Sequence, residues 1–120
     1  MSNTITPGKA FFNKQVAFLE ANDVEGLIAN QYAADAELVG FDFEVKGREA
    51  LRIHFTKYLA NLGAIKLVSI DKFFETDDTI FFEATIDVRA GQARVYDAFV
   101  LQKSKATYHF TGLLGFSPRA

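Results

Sequence analysis

The spacing of apolar residues changes along this chain, and each change marks a new element. From Gly8 to Ala21 an apolar stripe at helical spacing holds Phe11, Phe12, Val16, Phe18 and Leu19, with Gln15 on the same face. Thr6 and Pro7 read as the cap and first-turn pair of that helix. Asn22 and Asp23 interrupt the stripe. Asp23 is the predicted N-cap of a second helix carrying Leu27, Ile28 and Tyr32. The period then falls to two. Val39, Phe41, Phe43 and Val45 alternate between Ala36 and Lys46, which predicts two short strands reversing near Gly40 to Asp42. Gly47 stops the strand. Helical spacing returns from Arg48 to Leu62, with Leu51, His54, Phe55, Tyr58, Leu59 and Leu62 on one face. Four strand runs follow: 65–75, 79–89, 93–103 and 106–116. Polar or glycine-bearing turns separate them.

This order, ααββα and then a β-rich C-terminal half, predicts an α+β chain in which a long curved sheet wraps helices. The 120 residues predict a single domain over 1–120, and 49% hydrophobic composition supplies a sizeable core. The turn expected at Ala90 to Gln92 sets Asp97 opposite Ala84 or Thr85. Phe82, Ala84, Ile86 and Val88 then face inward, matched by Val95, Asp97, Phe99 and Leu101. Asp97 is the one charged residue on that inner row. The other face mixes Phe81, Tyr96, Ala98, Val100 and Leu113 with Glu83, Thr85, Asp87, His109 and Thr111. A half-apolar outer sheet face predicts a partner, here a two-fold homodimer.

Charge and composition narrow the function. The net charge is −2 with no basic block, which argues against nucleic-acid binding. There is no cysteine, and only two histidines with no metal-ligand spacing, so neither a metal nor another cofactor is expected. No apolar run is long enough for a membrane span. MSNTITPGK lacks the charged and apolar regions of a secretory leader, so a cytoplasmic location is expected. No G-x-S-x-G elbow or glycine-rich phosphate loop occurs.

Three stretches carry a family resemblance. QVAFLEANDVEGLIANQYAADAELVG is similar to the helix, N/G-D break, second helix and Y-x-x-D-A strand entry of the nuclear transport factor 2-like superfamily. Its SnoaL-like and ketosteroid-isomerase-like members are the relevant ones. KGREALRIHF resembles the family's G-x-E-A-I/L opening of the third helix, and VYDAFVLQ its pocket-wall strand. Together they cover most of the chain. The resemblance implies a cone-shaped, cystatin-like fold of three helices on a strongly curved, mostly antiparallel sheet, with a pocket between them. It does not imply one activity, because this scaffold hosts unrelated roles.

The resemblance sets Asp97 at the position of a pocket acid that stays protonated and donates to a substrate oxygen. Gln15 stands where the isomerases have a tyrosine donor, and Gly40 where they have the carboxylate base. Asp42 is the nearest acid to that missing base. His54 stands at a pocket-lining position of the third helix. These departures argue against steroid-type isomerisation.

Asp97 and His54 are the candidate catalytic pair, in contact across the cavity. The structural alternative is a buried acid satisfied by a helix side chain, and a core histidine with one hydrogen bond. The ligand-contact candidates are Gln15, Phe12, Val16, Tyr32, Phe55, Tyr58, Phe82, Phe99 and Phe110. Asp71 is compatible with either face of its strand. The reading is a domain binding a small apolar ligand with a carbonyl or hydroxyl, with cofactor-free proton transfer of isomerase, cyclase or dehydratase type if it turns over. The alternative is a non-enzymatic, dimeric protein-interaction module whose vestigial pocket is plugged by Phe12, Tyr32, Phe99 and Phe110.

Overall fold

The computed structural model describes residues 5–119; residues 1–4, on which part of the leader argument rests, and residue 120 lie outside the described set. Helix α1 spans Pro7–Glu20 and opens on Thr6, whose hydroxyl accepts from Lys9 N at 3.2 Å. That hydroxyl also donates to Glu75 at 2.6 Å, and Gly8 N donates to the other Glu75 oxygen at 2.8 Å. One carboxylate thus meets the positive helix end and ties it to the sheet. Asn22, in the left-handed region at φ 56°, ends the helix. Asp23 then caps α2, Val24–Gln31, by accepting from Gly26 N at 3.0 Å.

Tyr32 does not belong to α2. It opens strand β1, Tyr32–Val39, which turns at Gly40 into β2, Glu44–Lys46. β-branched or aromatic character does not decide between helix end and strand start here. The helix stops because Tyr32 must lie extended for β1 to pair with the last strand. Helix α3, Arg48–Leu62, begins and ends on glycines with positive φ, Gly47 at 88° and Gly63 at 78°. Its last carbonyls are capped from the sheet by the Arg89 guanidinium, 2.7 Å from Asn61 O, and Arg89 N, 3.0 Å from Leu62 O.

Strands β3 (Lys66–Glu75), β4 (Thr79–Val88), β5 (Gly91–Gln102) and β6 (Lys105–Pro118) complete one curved sheet. Its order is β2-β1-β6-β5-β4-β3, antiparallel except for the parallel β1–β6 pair. Its concave face holds the helices. Phe11, Phe12, Leu27, Tyr32, Leu51 and Phe55 pack there on Ile80, Phe82, Ala84 and Phe99. Among the described residues no helix is long and apolar enough to cross a membrane.

The β4–β5 turn is tighter than expected. Val88 pairs with Gly91, so only Arg89 and Ala90 form the turn, and Asp97 sits opposite Phe82 rather than Ala84 or Thr85. The inward parity survives, because Phe82 and Ala84 share a face. The β5–β6 pairing overturns more. Carried straight on from Gln102–Lys105, it would set Ala98 against His109 and Asp97 against Phe110. A bulge at Thr107, whose hydroxyl donates to Val100 O at 3.1 Å, shifts the register by one residue. The pairs become Phe99–His109, Ala98–Phe110 and Asp97–Thr111. His109, Thr111 and Leu113 therefore face inward, and Phe110 faces out, each opposite to expectation. A second bulge, between Arg94 and Val95, restores the parity beyond Leu114. Asp71 is settled too. It occupies an irregularity in β3 and accepts on the outer face from Ser69 at 2.7 Å and Thr85 at 2.8 Å.

Candidate functional site

A cavity of about 620 Å³ opens between the helices and the concave sheet. That is the size range of small-molecule sites. Its walls are chiefly apolar: Phe12, Val16 and Phe55 come from the helices, Phe82, Val95 and Phe99 from the sheet. Phe41, Asp42 and Phe43 bring the β1–β2 hairpin to its rim. Of the residues expected at the ligand, Phe12, Gln15, Val16, Phe55, Tyr58, Phe82, Phe99, Asp97 and His54 all line it. Tyr32 and Phe110 do not. Tyr32 is wholly buried behind the wall, and Phe110 stacks on Tyr108 on the outer face, ring centres 5.9 Å apart.

The expected His54–Asp97 contact is replaced by another. Asp97 Oδ1 lies 2.7 Å from His109 Nε2. His54 instead stacks between Phe43 and Tyr58, at 5.3 and 6.0 Å between ring centres. His109 is buried, its ring 3.9 Å from that of Phe99, and its Nδ1 lies 2.9 Å from the Tyr32 hydroxyl.

This contact belongs to a longer chain of hydrogen bonds whose direction can be worked out. The Phe11 carbonyl can only accept, so it fixes the Gln31 amide nitrogen as its donor, at 3.0 Å. That nitrogen also donates to Gln15 Oε1 at 3.2 Å. Gln15 Nε2 must then donate to the Tyr32 hydroxyl, at 3.1 Å. The hydroxyl's own proton goes to its other partner, His109 Nδ1. His109 therefore carries its proton on Nε2 and donates to Asp97 Oδ1. Every link is buried or half-buried, and among the described residues no buried side-chain polar atom lacks a partner. Toward His109, Asp97 receives rather than donates.

The helix wall supplies the opposite polarity. Tyr58 lines the cavity with 37% of its surface accessible. Burial of its hydroxyl, and then the Asp97 charge, push it up to about 12, so it remains a phenol. Tyr32 is raised further, by burial first, against the bond from Gln15. His54 is held below the ordinary histidine value, by burial first and by nearby His109 second, so it stays a neutral imidazole near pH 7.

Solved structures match this architecture over nearly its whole length. An NTF2-like protein from Anabaena variabilis matches with a TM-score of 0.77 at 15% identity, covering 99% of this chain and 96% of that one. The chain has the nuclear transport factor 2-like fold. An NTF2-like protein of unknown function from Burkholderia pseudomallei matches at TM-score 0.76 and 15% identity, covering 94% and 92% of the two chains. TerC, co-crystallised with polyporic acid, matches at 0.75 and 17%, covering 93% and 92%. No family model matches the sequence, and no curated protein is similar to it.

Two side chains of the buried hydrogen-bond chain are not legible in the sequence: alternation sets His109 on the outer face, and nothing singles out Gln31. The signal for His109 was a lone imidazole in a strand with large apolar residues on both faces, Tyr108 and Phe110 on one, Leu113 and Phe116 on the other. Alternation cannot choose a face in such a strand.

Proposed function

We propose that this chain is a cytoplasmic, cofactor-free small-molecule-binding domain whose Asp97 carboxylate transfers a proton on an apolar carbonyl or hydroxyl compound. One observation carries the reading. Asp97 stands on the wall of an apolar cavity with one oxygen held by His109, while among the described residues its other oxygen has no partner. A carboxylate so placed is a ready base. It takes a proton from an activated C–H and returns it to another carbon, as an isomerase or cyclase requires, or moves it toward a departing hydroxyl, as a dehydratase requires. Tyr58, kept as a phenol, and the neutral His54 supply hydrogen-bond donors for the developing oxyanion from the facing wall.

The cavity is open to Asp97, and of the four residues expected to plug it, Phe110 is on the outer face. This favours the ligand reading over a vestigial pocket. The test is α-proton exchange of cyclic ketones in D₂O, followed by proton NMR. The wild type speeds exchange by roughly 100-fold or more over buffer, the usual contribution of a positioned base. Asp97→Asn and Asp97→Ala return it to the buffer rate. A wild type no faster than buffer across the panel, or an Asp97→Asn variant equal to wild type, sinks the catalytic reading.

A second copy of the chain is the partner we propose for the outer sheet face. Phe74 and Phe81, paired across β3 and β4, are 69% and 51% exposed, and the stacked Tyr108 and Phe110 continue the apolar surface on β6.

A further inference from the structure

The direction of the buried hydrogen-bond chain says which functional group the deep end of the cavity accepts. Its protons all point toward Asp97. They run from Gln31 to Gln15, to Tyr32, to His109 and then to the carboxylate. Reversing it would leave the Tyr32 proton without an acceptor, or set the Gln31 amide oxygen against the Phe11 carbonyl, acceptor to acceptor. The chain begins at the main-chain carbonyl of Phe11, which cannot flip. Asp97 Oδ1 is thereby fixed as an acceptor, and in its carboxylate form Asp97 shows the cavity only lone pairs. Thr111, its cross-strand neighbour on the same wall, uses its hydroxyl proton on Tyr96 O at 3.4 Å and also shows the cavity an acceptor. Gln15 and His109 line the cavity too, but their polar atoms are engaged within the chain.

We propose that this end of the cavity selects ligands that set a hydroxyl, phenolic or enolic, of an apolar ring body against Asp97, and rejects those that set an ether or carbonyl oxygen there. The selection rests on the ligand-binding reading above and names its ligand class. A hydroxyl donates to the unpartnered Asp97 oxygen, a charge-assisted bond in an apolar surrounding. An ether oxygen at the same place sets lone pairs against a carboxylate and leaves that oxygen without the water it had.

The chain also makes an unusual prediction for Asp97→Asn. His109 still has to donate from Nε2, so the new amide turns its oxygen to His109 and its NH₂ to the cavity. The same point in space changes from acceptor to donor without a change of shape.

The experiment uses 2-naphthol and 2-methoxynaphthalene as a matched pair, with binding to the purified protein followed by calorimetry or intrinsic fluorescence. The wild type binds the naphthol more tightly by on the order of 10- to 100-fold, the range for a hydrogen bond to a charged group. In Asp97→Asn the ratio falls to about one or inverts. A two-bond ¹H–¹⁵N spectrum of the wild type, assigned with His54→Gln, shows His109 protonated on Nε2 and not on Nδ1. Equal binding of the pair by wild type, a naphthol preference that survives Asp97→Asn, or a proton on Nδ1 overturns the selection. Failure of both probes to bind removes the ligand reading along with it. Absence of proton exchange removes the catalytic reading and leaves the selection standing.

Discussion

Replacing Tyr32 by phenylalanine removes one oxygen atom from the centre of the buried chain. Tyr32 is 0% exposed, so solvent does not reach the gap. Two groups lose their partner at once: Gln15 Nε2, 3.1 Å away, and His109 Nδ1, 2.9 Å away. Neither can turn to find another. Gln15 is held at its other end by Gln31, and His109 is clamped between Asp97 and the Phe99 ring. An unpaired buried polar group costs about 1–3 kcal/mol, so two cost about 2–6 kcal/mol. Relief from burying the phenol hydroxyl offsets part of this, which brings the expected loss to about 3 kcal/mol. For a chain of this length that lowers Tm by roughly 10–15 °C. The assay is urea and thermal denaturation of Tyr32→Phe, Gln15→Leu and the double variant. The double variant costs less than the sum of the singles by about 1 kcal/mol or more, because Gln15→Leu removes one of the groups that Tyr32→Phe strands. A loss for Tyr32→Phe within about 0.5 kcal/mol, or strict additivity, would refute the chain and with it the direction assigned to His109.

Other expectations follow from single features. Gly91→Ala destabilises by about 2 kcal/mol or more, since Gly91 has φ 155° and an added Cβ runs into the Ser117 carbonyl; a Tm unchanged by the substitution contradicts this. His54 has a depressed folded-state pKa, so the unfolded chain binds its proton first and stability falls as pH drops from about 6.5. His54→Gln flattens that slope in a pH series of melting curves, and an unchanged slope would place the shift elsewhere. Tyr58, raised to about 12, stabilises fully below its unfolded value near 10 and loses that contribution as pH climbs toward 12. An absorbance titration of phenolate should lose its late-titrating step in Tyr58→Phe. Phe81→Glu, at the centre of the outer apolar face, shifts the protein from dimer to monomer in light scattering at micromolar concentration. A wild type that is already monomeric there withdraws the dimer.

The fold was legible in the sequence because its signals are local. Thr6 and Asp23 cap where cap residues should, Gly47 and Gly63 bracket α3, and the inward row Phe82, Ala84, Val88 survives a turn shorter than expected. Period-two arguments tolerate an error of two residues, since parity is unchanged. They do not tolerate an error of one. The bulge at Thr107 is such an error, and nothing in ATYHFTG announces it, because both faces of β6 are apolar enough to be either inside or outside.

The consequence reaches the chemistry. With His109 outside, Asp97 is an unpaired inward acid, and the histidine left to complete it is His54. With His109 inside, Asp97 Oδ1 accepts at the end of a directed chain that starts from a main-chain carbonyl, and His54 stands apart, stacked on Tyr58. The same inward acid thus changes its histidine partner on the strength of one extra residue in one strand. Much of the cavity wall was readable from the sequence, though the places of His109 and Gln31 were not. Its polarity was not, because polarity depends on which protons have somewhere to go, and that is set by long-range pairing: Gln15 to Tyr32, Tyr32 to His109, His109 to Asp97.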